Sequence, residues 1–341
     1  MPTTSKLNVV VISLFDGLSG GRIALENVPN LNILRYYSSE VDKYAIKVAD
    51  KNYPKDSKYR LGDVKQIDFT KLLNSINTEF PTAKLLLLGG SPCQGFSMAG
   101  KMKGSSTKSG VDVVTLEQYL DLKQKNFEFD GQSYLFWEYI RALEILKPDY
   151  FLLENVKVTG KWLPMFNQAI GVKPIFINSN LLSAHNRPRY YWTNIPGVEL
   201  PTDKNINLLG ILEPLKITAL IDSSIKPSVA VNIKRDHTLI QNSKKAFFTM
   251  KVLSGFSDNK VGLVKSPCLR AGNSSTYVWT GSTYRMLTPL EWERLQTLPD
   301  NYTLVLDKNG KQTVSKTQRY RMIGNGWTIA VVSHILRFIK L

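Results

Sequence analysis

Cysteine is nearly missing from this chain: its 341 residues include two, Cys93 and Cys268. That is too few for a disulfide framework, and it suits a reducing compartment. Histidine is scarce too. His185, His237 and His334 stand far apart, so no Cys/His cluster has zinc-ligand spacing and no metal is expected. Long apolar runs are lacking. Val9–Phe15, the first such run, is far short of a membrane span, lacks a small-residue cleavage pattern and stops at Asp16-Gly17. The expectation is a soluble, cytoplasmic protein with no membrane partner. Acidic residues are also in deficit, 28 Asp and Glu against 44 Lys and Arg, for a net charge of +16. This excludes a self-repelling acidic chain and points to a polyanionic partner, most commonly nucleic acid, although a basic protein with no such partner has the same balance. No internal repeat or low-complexity tract is present. Hydrophobic residues make up 43%, enough to fold most of the chain.

Apolar, β-branched runs alternate with helical periodicity through the first half. Val9–Phe15, Ile33–Val41, Leu85–Leu88 and Tyr150–Leu153 read as buried strands. Leu135, Phe136, Tyr139, Ile140, Leu143 and Leu146 recur at helical spacing, and Pro148 closes that helix. The alternation predicts an α/β fold, a doubly wound, mostly parallel sheet with helices on both faces and ligands beyond the carboxyl ends of its strands. Two stretches break the rhythm. Met98–Asp130 reads as a polar loop with a helical insertion around Leu116–Leu122. Gly197–Tyr284, with 11 Lys/Arg against 6 Asp/Glu and several short β-like runs, reads as a separate module. Thr288-Pro289-Leu290-Glu291 has the layout of a capping box with proline at the first helical position, which predicts a helix to about Leu298. The expected division is 1–196, 197–284 and 285–341, the last returning to the first.

The polar residues at the strand ends are the candidates for chemistry. Phe15-Asp16-Gly17-Leu18-Ser19-Gly20-Gly21 comes directly after the first strand. Its glycines allow either a plain tight turn or a close backbone approach to a ligand. Glu40 ends the next strand, where a carboxylate can accept from ribose hydroxyls, and Asp63 in Gly62-Asp63-Val64 can accept from an adenine amino group. Either acid alone also reads as a helix cap or a solvated charge. Cys93 sits after Leu85–Leu88 in Gly90-Ser91-Pro92-Cys93-Gln94-Gly95. An isolated cysteine is most often a small buried hydrophobe, but a thiol at the carboxyl edge of a central strand is placed to act as a nucleophile. Cys268 lacks that setting and reads as structural. Glu154, after Phe151-Leu152-Leu153, is expected to be partly buried at the same edge, where burial raises a carboxyl pKa toward neutrality. Arg187 and Arg189, two apart, face one way if extended and could hold a phosphate or a base carbonyl; a solvated edge strand reads the same.

Taken in order, these motifs resemble the DNA (cytosine-5)-methyltransferases over nearly the whole chain. The resemblance runs through Phe15-x-Gly17, Glu40, Asp63, Pro92-Cys93-Gln94, Glu154-Asn155-Val156 and Arg187-x-Arg189. It continues in Arg285-x-Leu287-Thr288-x-x-Glu291-x-x-Arg294-Leu295-Gln296 and Gly324-Asn325. Ser38-Ser39-Glu40-Val41, Phe15-Asp16-Gly17 and the 183–197 stretch look most like the catalytic domain of de novo DNA methyltransferases and their phage and bacterial relatives. There are departures. Ser19 stands where many members have glycine, His185 or its neighbour where many have glutamine, and Gly326-Trp327 where Ser-Val is usual. The segment after Gly104 is longer than in compact members.

The resemblance implies a Rossmann-like S-adenosylmethionine-dependent methyltransferase fold plus a small target recognition domain. S-adenosylmethionine would be the cofactor and S-adenosylhomocysteine its product, with no metal. The cofactor would be held by Phe15, Gly17, Gly20, Glu40, Val41, Asp63, Val64, Pro92 and Asn325. Cys93 would be the nucleophile on carbon 6 of a flipped cytosine, assisted by Glu154, Arg187 and Arg189. Gln94, Ser97, Lys101, Lys103 and Arg270 would contact double-stranded DNA, with Lys108 on the same loop. A cognate restriction endonuclease is a possible partner but is not required, and the setting implied is a bacterial or phage-infected cell, near the nucleoid. The alternatives are an RNA (tRNA) cytosine-5 methyltransferase, whose branch carries a Cys-Phe-Thr motif not found here, and a catalytically silent DNA-binding homologue. A plain Rossmann dehydrogenase leaves Pro92-Cys93-Gln94 and Glu154-Asn155-Val156 unexplained.

Overall fold

The structure is a computed structural model that describes residues 6–93, 95–96, 104–213, 248–251, 261–262, 265–266, 268–269, 275–279 and 284–340. The chain divides into two units. The first holds residues 1–177, 188–200 and 332–341; the second holds 178–187 and 201–331.

In the first unit, β1 (Leu7–Leu14), β2 (Leu31–Ser39), β3 (Lys84–Gly89), β4 (Tyr150–Val156), β5 (Ile175–Asn178) and β6 (Pro188–Thr193) form one sheet in the order β2-β1-β3-β4-β6-β5. β1 is parallel to both β2 and β3, and β3 is parallel to β4; β6 runs antiparallel to β4. The sheet is therefore mixed and mostly parallel, as the alternation predicts. Its central strands are apolar at nearly every position because both faces are covered. Val10, Ile12, Leu85, Leu87 and Leu153 join a core with α3 (Phe69–Glu79), α4 (Leu116–Gln124), α5 (Phe136–Leu146) and α6 (Trp162–Ile170). Val9, Val11, Leu86, Leu88 and Leu152, of opposite parity, are just as fully buried. Phe136 and Phe166 stack at 4.0 Å between α5 and α6.

Local chemistry sets the helix starts. Asp42 accepts from Tyr44 N–H at 2.8 Å to open α2 (Lys43–Asn52), Asp68 accepts from Lys71 N–H at 2.9 Å to open α3, and Thr115 accepts from Gln118 N–H at 3.1 Å to open α4. α4 is the helix expected within the long segment after Gly104. β1 stops one residue short of the expected end because Phe15 takes φ +57°, a left-handed conformation no strand accommodates. β2 and β3 lie on opposite sides of β1, all three parallel, so their carboxyl ends share one edge, the edge where doubly wound sheets bind ligands.

The second unit contains an antiparallel sheet, β10-β9-β7-β8, made of β7 (Phe248–Lys251), β8 (Val261–Gly262), β9 (Ser275–Trp279) and β10 (Tyr284–Met286). α7 (Pro289–Leu295) opens with the capping box seen in the sequence: Thr288 Oγ1 accepts from Glu291 N–H at 3.2 Å, and Glu291 Oε2 accepts from Thr288 N–H at 2.8 Å. α7 ends before Leu298 because Thr297 is left-handed (φ +56°) and the Gln296 side chain donates to Ile323 O and Gly326 O at 2.8 and 3.0 Å. α8 (Lys316–Asn325) is tied back by Arg319, whose guanidinium reaches the fully buried Glu293 at 2.9 Å. α9 (Ile329–Leu336) comes next; its Ser333, in the first unit, donates to Ala24 O at 3.0 Å on α1 (Gly20–Glu26).

Candidate active site

The turns after the parallel strands build the site. After β1, Phe15 (φ +57°), Gly17 (φ +56°) and Ser19 (φ +63°) alternate left-handed residues. The resulting turn puts Gly17 N–H on Glu40 Oε2 at 2.8 Å. Glu40 stands just past β2, and its Oε1 accepts from the amides of Val41 and Asp42, both at 2.8 Å. Three main-chain donors thus fix one carboxylate beyond the last register pair, Leu14 with Ser39. Val41 is 68% exposed beside it. A side chain on Gly17 would meet nothing within 4 Å, so the turn faces open space.

Ser19 explains a departure seen in the sequence. Glycine reaches a left-handed φ freely, whereas serine loses about 1 kcal/mol there. Its hydroxyl offsets this by donating to Asp16 Oδ2 at 2.7 Å. Asp16 is a residue the motifs alone do not single out. It is buried, accepts a second hydrogen bond from Tyr36 O–H at 2.5 Å, and lies near the charge of Glu40. Burial pushes its carboxyl up from 3.8 to about 6, against the pull of these hydrogen bonds, and Glu40 adds to the rise.

The raised pKa makes stability depend on pH. Between about pH 4 and 6 the folded chain binds more protons at Asp16 than the unfolded chain does. Stability is therefore lost as pH rises through that window, and at pH 7 the ionised group costs about 2–3 kcal/mol. Asp16→Asn is expected to gain most of that at pH 7.5 and little at pH 4, as read from urea midpoints of both proteins across this range. Parallel pH profiles for the two would refute the assignment.

Asp63 Oδ1 accepts from Lys65 N–H at 3.0 Å and caps the short 3-10 turn Val64–Gln66, whose Val64 is buried. The capping role is thus present, on the same loop the sequence assigns to adenine. Gly20 is buried in the first turn of α1. Pro92 and Cys93 are half-buried beyond β3, and Cys93 is a thiol outside any disulfide. Phe96 N–H donates to Cys93 O at 3.0 Å, closing the turn around the thiol. Two side chains pin this turn on either side: Asn155 Nδ2 donates to Ser91 Oγ and O at 3.0 and 3.2 Å, and Ser133 Oγ accepts from Gly95 N–H at 2.7 Å. Neither Asn155 nor Ser133 is assigned a role by sequence alone, though Asn155 lies inside the Glu-Asn-Val motif.

Glu154 lies within β4 and is 8% exposed. On β6, Tyr191 is its direct partner and Arg189 is opposite Val156, so Glu154 and Arg189 are diagonal neighbours on one face. Arg189 Nε reaches Glu154 Oε1 at 2.8 Å. The two arginines do not act alike. β6 starts at Pro188, and Arg187, 2% exposed in the second unit, donates to Leu269 O at 3.2 Å, Gly324 O at 3.2 Å and Gly326 O at 2.8 Å. The condition for both to share one face, that the stretch be a single extended strand, is not met, because β6 does not include Arg187. Asn325, exposed at the end of α8, belongs to the second unit. Gln94, Ser97, Lys101, Lys103 and Arg270 lie outside the described residues. Among the described residues no helix is long and apolar enough to cross a membrane, and no three His, Cys, Asp or Glu side chains are grouped to hold a metal.

The sheet and the residues gathered at its carboxyl edge define a class, the Rossmann-like methyltransferases. A methyltransferase from Entamoeba histolytica, EhMeth, has the same fold over 98% of this chain and 98% of its own, at 17% identity and a TM-score of 0.61. The family model for C-5 cytosine-specific DNA methylase matches residues 9–159 and 215–341, and the chain belongs to that family. The Type II methyltransferase M.SsoII of Shigella sonnei is 25% identical over 345 residues, covering 95% of this chain and 78% of the relative. The orphan methyltransferase M.Rho11sI of Bacillus phage rho11s is 38% identical over 153 residues, 45% of this chain and 24% of the phage protein.

Proposed function

We propose that the chain transfers the methyl group of S-adenosylmethionine to carbon 5 of a cytosine flipped out of duplex DNA, through a covalent bond between Cys93 and carbon 6. The observation that carries this reading is the placing of the Cys93 thiol and the buried Glu154 at the carboxyl ends of adjacent parallel strands, joined by Asn155 on Ser91, with Arg189 reaching Glu154 from the antiparallel β6. Carbon 5 of cytosine is a poor nucleophile. Addition of the Cys93 thiolate forms a sulfur–carbon 6 bond and moves the ring electrons toward carbon 5. Glu154, hydrogen-bonded to ring nitrogen 3 and the amino group, offsets charge as addition proceeds, and Arg189 holds the carbonyl at position 2. When bound, S-adenosylmethionine supplies the electrophilic methyl group and becomes S-adenosylhomocysteine. Loss of the carbon 5 proton to a base returns an electron pair to the ring, breaks the bond to Cys93 and frees the thiolate.

The residues present fit that cofactor. Glu40, with its carboxylate fixed by three amides, is oriented to accept from a ribose diol. Exposed Val41 offers an apolar face to a base, and the turn at Phe15 and Gly17, open at Gly17 and leading to Gly20 at the start of α1, admits the rest of the ligand. Asp63 and Val64 take the adenine edge, and Pro92 stiffens the approach to Cys93. Flipping the base costs a few kcal/mol. Gln94, Ser97, Lys101, Lys103 and Arg270 contact the duplex in this reading, the 197–284 module reads neighbouring bases, and the net charge of +16 makes affinity fall steeply with salt. The reaction needs no partner endonuclease.

The test is incubation with duplex DNA carrying 5-fluorocytosine in place of cytosine, with S-adenosylmethionine. Fluorine cannot leave carbon 5 as a cation, so the covalent adduct is expected to persist through denaturing electrophoresis. An adduct on fluorinated tRNA and none on varied duplexes would move the substrate to RNA. No adduct on either would make the chain a silent homologue.

A further inference from the structure

The long segment after Gly104 is not used by the proposed chemistry, yet α4 within it enters a buried charge network. Glu138, in the first turn of α5, is fully buried. It accepts from Lys123 Nζ at 2.6 Å, from Arg141 Nε at 2.7 Å and from Tyr119 O–H. Lys123 and Tyr119 belong to α4. The cations continue past the carboxylate to one short stretch of main chain: Arg141 donates to Val64 O at 3.0 Å and Ile67 O at 3.1 Å, and Lys123 donates to Lys65 O at 3.2 Å. Two of these carbonyls belong to the turn that Asp63 caps, and Ile67 is the residue that ends it. Arg141 is steadied further by the Phe69 ring, 4.5 Å from its guanidinium carbon.

A buried carboxylate with two cations is a costly way to join two helices, since well-packed apolar residues do as well or better. What apolar residues cannot do is donate hydrogen bonds in fixed directions to neighbouring carbonyls. We infer that Glu138, acting through Lys123 and Arg141, positions the Asp63–Val64 loop for the adenine end of the cofactor, and that the segment after Gly104 supplies one arm of this brace. The inference rests on the reading of Asp63 and Val64 as cofactor contacts. Lys123 is the informative member because its side chain is 33% exposed, so its loss leaves Glu138 paired with Arg141 and Tyr119.

The experiment is titration calorimetry of S-adenosylhomocysteine with the full chain and its Lys123→Ala, Lys123→Arg and Glu40→Ala variants, together with turnover at saturating cofactor. Lys123→Ala is expected to weaken binding about tenfold. Its kcat should stay within about twofold, and Lys123→Arg should restore most of the affinity. Lys123→Met keeps an unbranched stem without the ammonium group and carries the same expectation should the alanine variant fold poorly. Unchanged affinity in the Lys123 variants while Glu40→Ala binds weakly overturns the inference alone, as does a shift confined to thermal stability. Unchanged affinity in Glu40→Ala as well overturns the underlying cofactor reading.

Discussion

Cys93→Ser is expected to lower methyl transfer by at least about 10³-fold and to abolish the adduct with fluorinated DNA, while leaving unfolding and cofactor affinity unchanged. The substitution exchanges sulfur for a slightly smaller oxygen at a half-buried position, so little packing is lost. Reactivity changes far more. An ordinary thiol, with a pKa of about 8.5, supplies a few per cent of thiolate at pH 7, and that thiolate is intrinsically nucleophilic. A serine hydroxyl is far less acidic and needs a base to take its proton. Single-turnover transfer of labelled methyl to duplex DNA, run beside the trapping assay, measures the loss. Adduct formation by Cys93→Ser at the wild-type rate would remove Cys93 from the mechanism and turn attention to Cys268.

The effect should be specific because the thiol is held independently of its own chemistry. Asn155 fixes Ser91 and Ser133 fixes Gly95, so the backbone on both sides of Cys93 keeps its course in the serine variant. The Glu154–Arg189 pair is likewise untouched. In the proposed mechanism the substitution therefore removes bond formation to carbon 6 and leaves recognition in place.

Much of this site was legible because its parts are local. A strand of consecutive apolar residues ending at Gly, Glu or Pro-Cys marks a carboxyl edge, and parallel pairing then gathers every such edge on one side. That rule puts Phe15, Gly17, Glu40, Cys93 and Glu154 at this edge, and they stand there in the fold. What stayed hidden depends on distant partners. Asp16 becomes a buried, high-pKa group only through burial in the folded chain, which outweighs the hydrogen bond it receives from Tyr36, 20 positions on. Glu138 looks like one more charge on an amphipathic helix until α4 brings Lys123 and Tyr119 to it. Ser133 has no sequence signal at all; its role exists only because Gly95 passes within hydrogen-bonding distance. The arginine pair misleads for a different reason. Two residues at spacing two share a face only inside a strand, and β6 begins at Pro188, between them.

Arg187 carries the other large expected effect, on stability. Its guanidinium is buried in the second unit and holds Leu269 O together with Gly324 O and Gly326 O, on either side of Asn325. Backbone carbonyls facing into a buried site need donors, and no ordinary replacement supplies a planar fork to reach all three. Arg187→Ala is expected to destabilise the second unit by about 3–5 kcal/mol, since each buried carbonyl left without its donor costs about 1–3 kcal/mol. Arg187→Lys, with one point charge in place of the fork, should recover only part of this. Hydrogen exchange at residues 324–326 and 268–269 should accelerate, with a lower thermal midpoint for the chain. Arg189→Ala makes the contrast: it breaks the ion pair to Glu154 at the reacting edge, and should reduce turnover far more than it reduces exchange protection. An Arg187→Ala protein as stable as the wild type but inactive would reverse this assignment and place Arg187 in contact with the substrate, where the spacing of the two arginines in the sequence first put it.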